Sequence, residues 1–308
     1  LISLGGLAFN IGNIGGASMG LNIVFGIDTT TAAAISGILG ILLFASPKMG
    51  GVLDNTAKVL GTVMLVLIGY VAFSTNPPIA EAATHALVPT NYPWLATITL
   101  IGGTVGGYIT FSGGHRLIDA GITGREHLKD VRRAAFMGMS VDAIVRILLF
   151  LAVLGVVSMG FALDPKDPAG SAFLLGAGEI GHKLFGIVFF CAALTSVVGA
   201  AYTSVSFLKT LFKVVERYEK LTIMAFIFVS TCILIFIGKP ATLLIVAGSV
   251  NGLILPVTLA VMLLATRKTN IVGDYKHNPI LFYTGWIVVL VTAYIGVTSL
   301  QGIAKLLG

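Results

Sequence analysis

Charge is what this sequence has least of. Only 10% of its 308 residues are Asp, Glu, Lys or Arg, against roughly a quarter in a soluble domain, and that excludes a water-soluble globule. Cysteine is nearly missing as well. Cys191 and Cys232 both lie inside apolar runs and read as small hydrophobes, which excludes a disulfide framework. No Cys or His pair stands at zinc-ligand spacing, no G-x-S-x-G occurs, and "SGGHR" at 112–116 lacks the spacing and the Lys-Ser/Thr of a phosphate loop. A soluble-type enzyme site and an ATP-driven motor are thereby excluded. The protein is expected to be no enzyme and to need no cofactor.

What remains is apolar. Hydrophobic residues make up 56% of the chain and the mean hydropathy is +0.99, so the fold class is all-α, a polytopic membrane protein. The 38 glycines follow no collagen period. They suit membrane helices, whose association depends on close backbone approach because lipid supplies no hydrophobic drive. Crossing the ~30 Å hydrocarbon core takes roughly 20 helical residues. That ruler marks nine spans: Leu1–Phe25, Thr30–Ala45, Val52–Phe73, Trp94–Gly121, Ala134–Phe161, Lys183–Leu211, Leu221–Gly238, Ala241–Leu264 and Pro279–Leu300.

The basic residues orient them, since cytoplasmic loops collect Lys and Arg. One set of alternate loops and helix ends holds Lys48 and Lys58, then Arg116, Arg125, Lys129, Arg132 and Arg133, then Lys209, Lys213, Arg217 and Lys220, then Arg267, Lys268 and Lys276. The opposite set holds only Lys166, Lys183, Lys239 and Lys305. The first span therefore runs from inside to outside. The net charge of +6 is answered by the inner leaflet of a bacterial-type plasma membrane. The expected partners are the lipid bilayer and a small ion or small molecule, with no nucleic acid.

The fourth span is too long for the slab and carries glycine pairs at Gly106–Gly107 and Gly113–Gly114, although each helix-interior Gly costs about 1 kcal/mol relative to Ala. Gly106 and Gly107 lie ~18 Å below the outer interface at the helical rise, close to the midplane. Transporters use discontinuous helices there to bind substrates. The expectation is a broken helix at "VGGY"; the alternative is that the glycines serve close helix packing.

Three stretches carry a family resemblance. "GGTVGGY" at 102–108 resembles the sixth-helix G-A-T-V-M-P-H pattern of NRAMP metal transporters. "LTSVVGAAYTSV" at 194–205 is similar to that family's eighth-helix region, and the segment around Leu255–Pro256 to its tenth helix and exit. The resemblance runs through nearly the whole chain. It implies a five-plus-five inverted repeat, with 1–73 as the remainder of the first repeat, 94–264 as the second and 279–300 as a terminal helix. It also implies two further helices before Leu1. The implied function is secondary transport of a divalent cation by alternating access. The implied substrate-binding residues are Gly106, Gly107, Tyr108, Thr195 and Asn251, with Gly106, Gly107 and Tyr108 as metal contacts. The chain departs from the pattern in lacking the D-P-G-N motif, in carrying Gly106 where a Met thioether would favour softer metals, and in carrying Tyr108 and Gly113 where histidines stand. Backbone and amide oxygens suit a harder ion such as Mg²⁺.

Asp142 and Arg146 stand four apart and face one side of their helix near mid-membrane. They read either as a mutually neutralised pair or as coupling and gating residues, with Arg146 holding a substrate carboxylate. The latter reading carries the alternative function, a carrier for a small organic acid or amino acid on the same fold. His115 is a coupling candidate or a solvated boundary residue. Gly12, Gly16 and Gly20 line one face and predict close packing. Asn10, Asn13 and Asn251, dear to bury without partners, either line a polar path or bond between helices.

Overall fold

The structure, a computed structural model, describes residues 2–105, 114, 117–118, 120–124 and 126–307. Every regular element of some length among them is an α-helix. The twelve are α1 (Ile2–Phe25), α2 (Thr29–Ala45), α3 (Pro47–Ser74), α4 (Ile79–Leu87), α5 (Trp94–Val105), α6 (Leu128–Ser158), α7 (Pro168–Leu211), α8 (Lys213–Arg217), α9 (Glu219–Ile237), α10 (Pro240–Ala265), α11 (Thr269–Val272) and α12 (Pro279–Leu307). A medium without water leaves each backbone amide to be satisfied within its own helix, which is why the apolar segments adopt this form. Pro256 lies inside α10; neighbouring groups in a membrane protein can satisfy the carbonyl it frees.

Eight of the nine apolar segments fall on helices, and so does the described start of the fourth, Trp94–Val105. Five, α6, α7, α9, α10 and α12, are each long and apolar enough to cross a membrane. Two bent pairs, α1 with α2 at 117° and α3 with α4 at 103°, raise the number to seven when each pair counts once. The lower figure has two sources. α1 and α2 count only as one bent pair, and α5 is an apolar helix of only 12 residues because residues 106–113, next in its segment, lie outside the described residues. Gly106, Gly107, Tyr108 and Gly113, where the break is expected, fall there too.

The bend after α1 is set by its sequence. The Asn22 amide donates to the Ile27 carbonyl at 2.7 Å, closing the end of α1. Asp28 then caps α2, its Oδ1 accepting the amides of Thr30 and Thr31, both at 3.0 Å. The Thr31 hydroxyl, followed by its amide, holds the Asp28 carboxyl below its ordinary value.

The chain forms two compact units. One comprises Leu1–Asn13, Pro93–Asp119 and Val197–Gly308; the other comprises Ile14–Tyr92 and Ala120–Ser196.

In the second unit the core joins Leu67, Ile68, Val71 and Ala72 of α3 to Ala152 and Val156 of α6 and to Phe173 and Phe185 of α7. The rings of Phe173, Phe185 and Phe189 form a ladder with centroids 4.6 and 5.3 Å apart. Twelve residues of straight helix would set Phe173 and Phe185 ~18 Å apart. α7 is therefore no rod: Gly178, at φ 66° and ψ −170°, occupies a region essentially reserved for glycine and folds the helix back on itself. The segment Lys183–Leu211 read from the sequence is the arm after this break, and the helix begins earlier, at Pro168, than the hydropathy alone indicates. On α1, Gly16 faces Phe189, and a Cβ on Gly20 would lie 2.7 Å from the Gly186 carbonyl, the close packing expected of that face.

In the first unit α10 is the central helix, contacted by α5 and α12. A Cβ on Gly102 would collide with the Gly248 carbonyl and the Gly252 amide, so α5 and α10 meet backbone to backbone. Ile98 is fully buried beside Gly252. Trp94 of α5 stands edge-on to Tyr294 of α12 at 5.7 Å. α9 buries Ile223, Ile227, Ser230, Thr231 and Leu234, a single helical stripe.

Candidate functional site

The polar groups that survive full burial gather along α10 of the first unit. Its run Gly248-Ser249-Val250-Asn251-Gly252 is wholly small or polar save Val250, which lets neighbouring helices approach. Asn251 is fully buried. Its Nδ2 donates to the Gly5 carbonyl of α1 at 3.2 Å and to the Ala247 carbonyl one turn back at 3.0 Å. Both partners are acceptors only, which fixes the amide orientation and points Oδ1 away from them. That Oδ1 is buried and has no partner among the described residues. An unpaired buried acceptor costs roughly 1–3 kcal/mol, so the position calls for a donor or a cation.

Around it, α1 runs antiparallel to α10. Gly5 meets Asn251 and Gly12 meets Leu244 and Ala247, so Asn10 falls between these contacts. Asn10, also fully buried, donates to the Ser230 hydroxyl of α9 at 3.2 Å, and the Ser230 hydroxyl in turn donates a hydrogen bond to the Phe226 carbonyl. The Asn10 Oδ1 is a second buried oxygen without a partner, and the Asn13 Nδ2 is a buried donor without one. On the α5 side the Thr99 and Ser249 hydroxyls lie 2.8 Å apart. Amide and hydroxyl oxygens dominate this region: hard, neutral ligands of the type that Mg²⁺ and Ca²⁺ accept, in contrast to the sulfur and imidazole of softer-metal sites. No group of three or more His, Cys, Asp or Glu able to hold a metal occurs among the described residues.

The other candidates divide. Gly106, Gly107, Tyr108 and His115 lie outside the described residues. Thr195 belongs to the second unit, where its half-buried hydroxyl donates to the Ala192 carbonyl of its own helix at 2.8 Å, leaving its lone pairs free. Asp142 and Arg146 are brought together: Arg146 Nε donates to Asp142 Oδ2 at 2.8 Å, with 41% and 45% of the Arg and Asp side chains exposed. The pair is thus neutralised within one helix. Ser230, Ser249 and Thr99 escape notice in the sequence, because a lone hydroxyl in an apolar run bonds its own helix as readily as a neighbour. The signal that could have found Ser249 is its place between Gly248 and Asn251.

Comparisons with known proteins follow the same lines. The family model described as natural resistance-associated macrophage protein-like matches residues 1–301. An uncharacterized membrane protein of Haemophilus influenzae is 51% identical over 293 residues, covering 95% of this chain and 74% of its own. The uncharacterized membrane protein YcsG of Bacillus subtilis is 50% identical over 300 residues, covering 97% and 74%. Among solved structures, a manganese transporter of Eremococcus coleocola in complex with an aromatic bis-isothiourea compound superposes with a TM-score of 0.67 at 17% identity, over 99% of this chain and 70% of that one. A singly substituted form of that transporter gives 0.68 at 16%, over 98% and 70%. At such identity these structures share the fold.

Proposed function

The chain belongs to the natural resistance-associated macrophage protein-like family, a family of membrane transporters, and on that premise we propose that it carries a hard divalent cation such as Mg²⁺ across the membrane by alternating access. The observation that carries the choice of ion is the Asn251 Oδ1: a neutral oxygen, fully buried, held in place by two carbonyls and unpartnered. A cation that keeps part of its hydration needs few protein ligands, and the oxygen-rich surroundings of Asn251 supply that kind. Manganese, which the structural neighbours are named for, is the competing cargo. The absent thioether at Gly106 weighs against it.

In this reading Asn251, Thr195 and the backbone oxygens of Gly106 and Gly107 with the Tyr108 phenol line the path of the ion, while Asp142, Arg146 and His115 serve coupling or gating. The repeats run as the resemblance implies, 1–73, 94–264 and a terminal helix over 279–300. The organic-acid alternative is weakened, because the charge of Arg146 is already balanced by Asp142.

Flux measurements on full-length protein reconstituted in liposomes test the reading. Saturable Mg²⁺ uptake, competed by Mn²⁺ only at excess, is the expected result. No flux of Mg²⁺, Mn²⁺, Fe²⁺ or Ca²⁺ would sink the transport of divalent cations altogether, and a strong preference for Mn²⁺ would sink the hard-ion assignment alone.

A further inference from the structure

The first turns of α6 carry three cations that ion transport leaves unused. Lys129, Arg132 and Arg133 stand at i, i+3 and i+4, so they share one helix face. With Leu128 and Phe136 they line an open cleft of about 460 Å³. No carboxylate pairs with them among the described residues, where the acids of the ion pairs are Glu81, Asp142, Asp167 and Glu219. Glu126 and Asp130 are close in sequence, and neither lines the cleft. Three uncompensated positive charges on one face attract an anion.

Along the same face the chemistry changes within one turn. Phe136 is 71% exposed, and Met139, Ile147 and Phe150 beyond it are exposed as well. Only 17% of the most apolar window of α6 is buried inside the protein, so this face of a membrane-crossing helix meets acyl chains. A cationic cleft that runs directly into a lipid-facing apolar stripe has the order of a phospholipid, headgroup and then tail. Arg is well suited to the first part, since its planar fork of donors matches phosphate oxygens. Basic pockets on the side where Lys and Arg concentrate are suited to anionic headgroups.

We propose that this cleft is a binding site for an anionic phospholipid, its phosphate held by Lys129, Arg132 and Arg133 and its upper acyl chain lying along Phe136. A phosphate held by the cations alone would make inorganic phosphate an equal ligand; the exposed stripe below them argues for the lipid. The site lies in the second unit, apart in sequence from Asn251, and holds whatever the transported ion proves to be.

Native mass spectrometry of the full-length protein in a neutral detergent tests it, with phosphatidylglycerol against phosphatidylcholine and with inorganic phosphate as competitor. The wild type should retain phosphatidylglycerol preferentially, excess inorganic phosphate should leave it bound, and its thermal midpoint should rise with that lipid only. Lys129→Gln/Arg132→Gln/Arg133→Gln should lose roughly tenfold or more of the retention, because each cation near an anionic headgroup contributes appreciably. Lys213→Gln/Arg217→Gln, which removes cations from α8, should keep it. Equal retention of the two lipids, undiminished retention in the triple variant, or an equal loss in the α8 variant would each overturn the site; full displacement by inorganic phosphate would overturn the lipid as its ligand. If the triple variant does not fold, Arg132→Gln carries the test, a drop of about threefold or more supporting the site and none removing it.

Discussion

Phe173 and Phe185 stack at 4.6 Å across a helix that breaks between them at Gly178. The fold-back is also spanned by His182, whose Nε2 lies 3.7 Å from Asp167 Oδ2; Asp167 is itself held at the start of the first arm, its Oδ1 accepting the Gly170 amide at 2.9 Å. Two contacts thus depend on one glycine's positive-φ conformation.

Gly178→Ala should therefore destabilise the protein by about 1–3 kcal/mol, the cost of holding a side chain in that region. Gly199→Ala, in the regular part of α7 with open space at its Cβ position, should be neutral or stabilising by up to ~1 kcal/mol. Thermal unfolding of the two variants in detergent compares them directly, and equal midpoints would contradict the assignment of the break to Gly178.

For Asn251, the expected signature is loss of the response to ligand. Wild-type protein should gain stability with Mg²⁺ by mass action, about 2.7 kcal/mol at a hundredfold excess over Kd. Asn251→Ala should fold without that gain, because the Gly5 and Ala247 carbonyls it abandons remain within regular helices. A Mg²⁺-dependent shift of full size in Asn251→Ala would remove Asn251 from the ion path.

Asp142 and Arg146 make a double-mutant cycle informative. Either single leucine substitution leaves one charge in the membrane without its partner, and the double substitution removes both, so the cycle should show a coupling of at least ~0.5 kcal/mol. Transport then separates the two roles. Full flux in the double variant marks a structural pair, whereas normal stability with flux lost marks a gating one.

Asp28 makes stability depend on pH in a defined window. Its folded-state pKa lies below the ordinary 3.8, so its contribution is fully present above about pH 4 and is lost as the pH falls through the lowered value. Asn can still accept the amides of Thr30 and Thr31 but cannot carry the charge. The stability difference between wild type and Asp28→Asn should be constant at neutral pH, shrink as the pH falls below 3.8 and vanish below the lowered folded-state value; a difference that does not shrink on acidification would exclude titration of Asp28 as its source.

The membrane spans were legible because apolar length has few readings when no water is present. Where the apolar segments lie among the described residues they fell on helices, and the small-residue face of Gly12, Gly16 and Gly20 met its neighbours closely. What escaped lies where the chain is polar or the signal is tertiary. The helix Ile79–Leu87 is nine residues long, too short for periodicity to distinguish it from loop, and Asn76 with Pro77 and Pro78 reads as a turn on either account. The arm of α7 before Gly178 follows a polar stretch from Asp164 to Asp167, and nothing local separates Gly178 from the chain's other glycines. Asn10 and Asn251 were visible as costly polar residues, but the partnership of Asn10 with Ser230 spans 220 positions and exists only in the folded chain.

The meeting of α5 and α10 has a mechanical consequence. Where side chains interlock, one helix moves along another only by lifting ridges out of grooves. Between Gly102 and Gly248 there are no ridges to lift, and Ile98 is the large side chain at the seam. Axial register there is kept largely by the Thr99 and Ser249 hydroxyls, 2.8 Å apart, and a hydrogen bond of this kind contributes about 0.5–1.5 kcal/mol net. Such a joint resists separation, because the backbones are in contact, while slip is opposed mainly by this one hydroxyl pair and by Ile98 seated against Gly252: it behaves as a bearing with a catch.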